Sequence, residues 1–285
     1  MRQDESMKNS RVLVLAAIAG VIISLGLSGC GKSSKPSTSN TPTPTTSPTV
    51  STKAMAQYWV ADTARGFRLY REYVRINPTP DAITAALRQL VSQGPVDSDY
   101  VSLWPIGTTI NSVKVNGDTA LIDLTFPKLN VGAAAESLAI AQLVWTATAA
   151  NTTIKKVSLT VDGKKVESLA GHVDATQPFT RGLTYEILPP VWITSPTEGQ
   201  RVAAKGFTLS GMASTFEANV VWKVIKDGVI VKQGSTTALG AAPAWKPWSI
   251  AIPDLAPGTY IFEAMEYSAK DGSLVAQDTK NVVLK

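Results

Sequence analysis

At "EILPPVW", residues 186–192, the patterning of this chain changes kind. Upstream, segments with helical periodicity alternate with strand-like segments. Downstream, as far as Lys285, there are only short strand-like runs separated by turn signals. Periods of 3.6 and 2 present different faces for burial, so the two stretches must build different cores. Residues 54–186 are therefore expected to form an α+β domain and residues 189–285 an all-β sandwich, each long enough to bury a core. No internal repeat relates them.

In the first stretch, "AQYWVAD" and "GFRLYREYVRI" read as strands. "TPDAITAALRQLVSQGP" reads as a helix: Thr79 caps it, Pro80 takes the first helical position and Gly94-Pro95 stop it. Ile83, Ala86, Leu87, Leu90 and Val91 then share one apolar face. "TTINSVKVNGDTALIDLTF" reads as a hairpin turning at Asn116-Gly117, where a positive φ is cheap. A second helix over about 133–149 is apolar nearly all round and is expected to be buried. "TIKKVSLTVDGKKVESL" adds a strand and an Asp162-Gly163 turn. The expected order is β-β-α-β-β-α-β, one sheet with two helices packed on it.

The second stretch reads as a sandwich, with hairpins expected at Asp227-Gly228 and Asp271-Gly272 and Trp222 in the core between Val220 and Val224. "LAPGTYIFEA" resembles the tyrosine corner of immunoglobulin-like folds, with Tyr260 starting a strand after a tight turn. In antibody domains a cysteine follows two residues later; here the position is Phe262. The sandwich is thus expected to be held by burial alone.

The chain has one cysteine, Cys30, which excludes an intramolecular disulfide, a CxxC redox pair and a cysteine-based zinc site. Arg2, Lys8 and Arg11 precede the apolar run "VLVLAAIAGVIISLGL", short for a membrane span and suited to a signal-peptide core. Leu27-Ser28-Gly29-Cys30 at its end resembles the lipobox of bacterial lipoproteins. That resemblance implies cleavage after residue 29, acylation of Cys30 and a chain anchored by lipid to the outer face of the cell membrane. Residues 31–53, rich in Ser, Thr and Pro, then read as a disordered tether.

The net charge of +5 lies mostly in this leader: residues 1–30 carry +1, 31–53 carry +3, 54–188 are neutral and 189–285 carry +1. A nucleic-acid surface needs Lys and Arg clustered on a domain face, so nucleic acid is excluded as a partner. Lys32, Lys35 and Lys53 suit weak attraction to anionic headgroups.

"ALRQLVSQGP", "SLWPIGTTINSVKVNGDTALIDL" and "IKKVSLTVDGKKVESLAGHVD" resemble the GerMN domain of bacterial sporulation and germination proteins, over most of residues 54–185. "ILPPVWITSPTEGQRV", "FTLSGMAS", "VVWKVIKDG" and "LAPGTYIFEA" resemble the immunoglobulin-like domain found beside it in spore-germination-type proteins. The order of lipobox, tether and two domains resembles envelope lipoproteins of Gram-positive bacteria. The resemblance implies association with other envelope proteins, with no catalytic chemistry and no cofactor.

The residues agree. His172, the one histidine, lies in "AGHVD" beside Asp174, without a GxSxG elbow to make a hydrolase of it. A hydrolase of unrecognised type would need a pocket of convergent polar groups that included His172. With one histidine and an anchored cysteine only an all-oxygen metal site is conceivable; Asp97 and Asp99 in "GPVDSDY" read instead as a solvated loop. Trp104 in "SLWPIGTT" reads as packing. Trp245 and Trp248 in "APAWKPWSIAIP" leave two readings open: rings folded onto the sandwich core, or exposed rings stacking on the sugars of peptidoglycan.

Overall fold

The computed structural model describes residues 51–285. The signal segment, Cys30 and nearly all of the tether lie outside the described residues.

The first domain begins with β1 (Lys53–Ala61) and β2 (Arg68–Ile76), paired antiparallel over their full length. There follow α1 (Ala82–Ser92), β3 (Thr109–Asn116), β4 (Thr119–Thr125), α2 (Ala133–Ala150), β5 (Lys156–Val161), the short β6 (Lys164–Lys165) and one helical turn, α3 (Thr184–Ile187). The expected order holds, but the strands form two sheets rather than one. β1-β2 stands apart from the sheet β3-β4-β5-β6, in which α2 is the crossover between the parallel strands β4 and β5. The cause lies in α2, buried on nearly every side as its composition predicts. Such a helix needs cover from several directions, and it packs against β1, α1 and β5. Trp59, Leu69, Ile122 and Leu124 are fully buried in the core it shares, as is Leu143 of the helix itself.

Two local expectations are corrected. Asp81, not Thr79, caps α1: its Oδ1 accepts the Thr84 amide at 2.9 Å and its Oδ2 the Thr84 hydroxyl at 2.6 Å. Asp81 sits at the spacing that reaches the N3 amide, whereas the Thr79 hydroxyl donates to Asn77. The β3–β4 loop is Gly117-Asp118, because Asn116 pairs with Thr119 and the left-handed residue is Gly117 at φ +59°. Asp162-Gly163 and Asp227-Gly228 do form the expected turns, both residues of each pair lying at positive φ.

The second domain contains β7 (Val191–Ser195), β8 (Arg201–Val202), β9 (Thr208–Ala213), a 3-10 turn (Phe216–Ala218), β10 (Asn219–Lys226), β11 (Val229–Thr237), β12 (Lys246–Ala251), β13 (Gly258–Tyr267) and β14 (Leu274–Leu284). They form two sheets, β12-β9-β7 and β11-β10-β13-β14-β8. The Tyr260 hydroxyl donates to the Ala256 carbonyl at 2.8 Å, completing the tyrosine corner. Phe262, where an antibody domain has its cysteine, is fully buried and meets the Phe207 ring edge-on at 5.4 Å. Aromatic packing takes the place of the bridge. Trp222, expected in this core, is half-buried against it and lies over Gly234.

The two domains share a boundary of core quality. Leu188 and Trp192 belong to the apolar cluster of the first domain, and Arg71 lies 5.6 Å over the Trp192 ring. The described residues accordingly fall in one compact unit. Among them, no helix is long and apolar enough to cross a membrane.

Candidate functional site

β14 carries Ala276, Asp278, Lys280, Val282 and Leu284 on one buried face. Lys280 on that face meets the first domain: its Nζ lies 2.5 Å from Asp97 Oδ2, 2.7 Å from the Tyr100 hydroxyl and 2.8 Å from Asp278 Oδ1. Tyr100 donates to Asp278 Oδ1 at 2.6 Å, and Asp278 Oδ2 accepts the Ile193 amide at 2.6 Å. Asp97 is held from behind by Glu72, whose carboxylate accepts the Val96 and Asp97 amides at 3.1 and 2.8 Å. Nearby, the Thr279 hydroxyl donates to Asp99, and the Tyr70 hydroxyl donates to the Gln277 carbonyl at 2.8 Å. The expected solvated loop is therefore corrected at Asp97, whose ion pair with buried Lys280 outweighs its hydration. Asp99 stays exposed and bonds Thr279, so the loop joins the domains.

This cluster holds two carboxylates to one ammonium, and its titration follows from that surplus. Burial alone would lower the Lys280 ammonium, but Asp278 and Asp97 together hold it above 10.5. Burial pushes the Asp278 carboxyl up, against the pull of Lys280 and the donors around it. It raises Glu72 as well, more than the two amides lower it. The Tyr100 hydroxyl is likewise pushed up by burial and by Asp278, so it stays a donor.

A cleft of about 500 Å³ is walled by both domains. The β1–β2 turn contributes Arg65, the start of β2 contributes Arg68, and α3 contributes Tyr185. The sandwich contributes Phe216, Trp245, Tyr267 and Lys270, with aliphatic surface from Leu188, Pro190 and Val275. Phe216 is 58% exposed, on a turn whose next two residues, Glu217 and Ala218, hold φ of +52° and +58°. Left-handed backbone at two successive non-glycine residues is strained, and the turn directs the phenyl outward instead of into the core. Glu266 is the one acidic residue of the cleft; it accepts the Phe216 amide at 3.0 Å, and burial raises its carboxyl.

The predicted contact residues separate here. Trp245 is half-buried at the cleft wall, its Nε1 donating to the Pro189 carbonyl at 3.0 Å. Trp248 is only 2% exposed and belongs to the sandwich core, so it is removed as a contact residue. Its ring is clamped by Gly211 across β9–β12, where even a Cβ would stand 2.6 Å from the ring. Trp104 is buried, its Nε1 donating to the Ala139 carbonyl at 3.1 Å.

His172 is exposed, with Nε2 against the Val131 carbonyl at 3.1 Å. Its neighbour Glu136, fully buried, accepts the amides of Leu169, Ala170 and His172 and the Ser168 hydroxyl. Burial pushes this carboxyl up, but the donors outweigh it and hold Glu136 below the ordinary glutamate range. "AGHVD" is thus a loop tied to α2. Among the described residues no hydroxyl hydrogen-bonds the His172 ring, and no group of three or more His, Cys, Asp or Glu is placed to hold a metal.

Residues 56–167 match the family model Germane, "Sporulation and spore germination", and residues 190–273 match Gmad2, "Immunoglobulin-like domain of bacterial spore germination". The chain carries a Germane domain followed by a Gmad2 domain. No curated protein matches it. Among solved structures it is similar to the first GerMN domain of the sporulation protein GerM from Bacillus subtilis, at 21% identity, covering 45% of this chain and 98% of that one with a TM-score of 0.39. The tandem GerMN domains of the same protein match at 16% identity, over 72% of this chain and 62% of that one, with a TM-score of 0.39. A candidate lipoprotein from Clostridium perfringens matches at 19% identity, over 46% and 88%, with a TM-score of 0.34.

The cleft is therefore composite: Germane supplies the arginines, and Gmad2 supplies Phe216, Tyr267 and Lys270. Lys280 and Asp278 lie after the matched Gmad2 residues, on the strand that completes its larger sheet. Sequence reasoning missed both. Their signal was phase, since 278 and 280 fall in step with the apolar residues 276, 282 and 284.

Proposed function

We propose that this protein is a non-catalytic envelope lipoprotein, anchored through Cys30, whose Germane and Gmad2 domains act together as one rigid protein-binding module in sporulation or spore germination. The observation that carries this reading is the buried joint at Lys280, which ties the two domains through the Lys280–Asp97 ion pair and the Tyr100–Asp278 hydrogen bond and supports a fixed shape for the cleft between them. A preformed cleft loses little ordering entropy on binding, which is what a scaffold requires. The lipobox-like Leu27-Ser28-Gly29-Cys30 and the Ser/Thr/Pro tether support a position held off the membrane surface. The matched families support the link to sporulation and germination.

Cell fractionation with crosslinking tests the proposal. The wild-type chain is expected in the membrane fraction, crosslinked to other envelope proteins, and Cys30→Ser is expected to leave that fraction. Membrane association unchanged in Cys30→Ser overturns the anchor, and crosslinks to lipid or glycan alone overturn the protein-binding role.

A further inference from the structure

We infer that the cleft between the domains captures an extended acidic peptide segment bearing an aromatic or large aliphatic side chain. The inference deepens the protein-binding reading and rests on it. Charge complementarity points to the ligand. Arg65, Arg68 and Lys270 face the cleft against a single carboxylate, Glu266, which accepts the Phe216 amide and also attracts Arg65, so the lining keeps a net positive charge. The folded domains carry almost no net charge, so this excess is local. Arginine suits carboxylates in particular, through its paired donors.

The apolar requirement comes from the walls. Phe216 and Tyr185 are more than half exposed, and Tyr267 more than a third, around a floor that includes Leu188 and Val275. Exposed rings held on a rigid frame are the usual anchors of protein recognition. A sugar chain would also stack on rings, but its hydroxyls need a dense set of fixed hydrogen-bond partners. Against an aliphatic floor many would lose water without replacement. The strained turn holds Phe216 outward, outside the sandwich core, while Ala218 of the same turn is buried in that core.

The test uses the full chain in detergent and a fluorescein-labelled short peptide alternating aspartate with phenylalanine and leucine. Its comparison peptides replace aspartate with asparagine, or phenylalanine and leucine with serine. Fluorescence anisotropy is expected to show binding of the acidic apolar peptide only, weakened about tenfold or more by Phe216→Ala and by Arg65→Glu with Arg68→Glu. Ile106→Ala, at a fully exposed site outside the cleft, is expected to leave it unchanged. Equal binding of the asparagine peptide, or variants without effect, overturns the inference. So does binding of soluble muropeptides, but not of the peptide, that the same variants abolish. Crosslinking in cells separates the levels. Wild-type partners retained by the cleft variants sink the cleft assignment alone, whereas a wild type without protein partners sinks the protein-binding reading itself.

Discussion

Replacing buried Lys280 with Met should strongly destabilise the domain boundary. The ammonium lies 2.5 Å from Asp97 and 2.8 Å from Asp278, with side chains 5%, 2% and 1% exposed. Met fills similar volume but leaves two buried carboxylates without a counter-charge. Breaking a buried ion pair from one side costs about 3–5 kcal/mol. Against a total stability of roughly 5–15 kcal/mol that is a large share. At about 2–4 °C per kcal/mol for a unit of this size, the melting temperature should fall by about 6–20 °C. Urea denaturation followed by circular dichroism gives the free energy, and calorimetry gives the melting temperature and shows whether the domains still unfold together. Adding Asp97→Asn and Asp278→Asn to Lys280→Met should recover much of the loss, since the unpaired charges are then gone. A loss below about 1 kcal/mol in Lys280→Met, the range of exposed pairs, would refute the reasoning, because the cluster would then be hydrated in solution.

Four further outcomes follow from the same geometry. The raised Lys280 means that its stabilisation is fully present below 10.5 and lost as pH rises through its higher folded value; alkaline melts of wild type should show this loss and Lys280→Met should lack it. Gly211→Ala places a Cβ 2.0 Å from the Trp192 carbonyl and 2.6 Å from the Trp248 ring, so it should lower stability by about 1–3 kcal/mol or more and shift Trp fluorescence. Tyr260→Phe removes the bond to Ala256 and should cost on the order of 1 kcal/mol by urea melts. Glu136→Ala leaves the amides of Leu169, Ala170 and His172 without their acceptor; hydrogen exchange in residues 168–172 should rise sharply, with about 1–3 kcal/mol lost overall.

What could be read in advance was what short-range physics dictates. Asp-Gly pairs announced turns because both residues accept positive φ, and Tyr260 announced its corner because the bond closes within four residues. The all-round apolar α2 announced its burial but not the split into two sheets, which depends on what covers its several sides. The joint was hidden by distance. Asp97 and Lys280 are 183 positions apart, and a charged residue in a strand reads as solvent-facing unless its phase is compared with its neighbours. The cleft was hidden for another reason, since its residues come from strand ends, turns and the short α3, scattered along both domains with no shared periodicity. Trp248 could not be assigned from "APAWKPWSIAIP" because what buries it is Gly211 on a neighbouring strand.

Site-specific photo-crosslinking in intact cells tests the central claim most directly, with p-benzoylphenylalanine placed at position 216 in the full, membrane-anchored chain and, as a control, at position 106. A protein adduct is predicted from position 216, absent from position 106 and lost when Arg65→Glu and Arg68→Glu are added. Adducts from position 216 to lipid or glycan alone, or a protein adduct indifferent to the two arginines, would contradict a rigid module that binds its partner in the cleft between Germane and Gmad2.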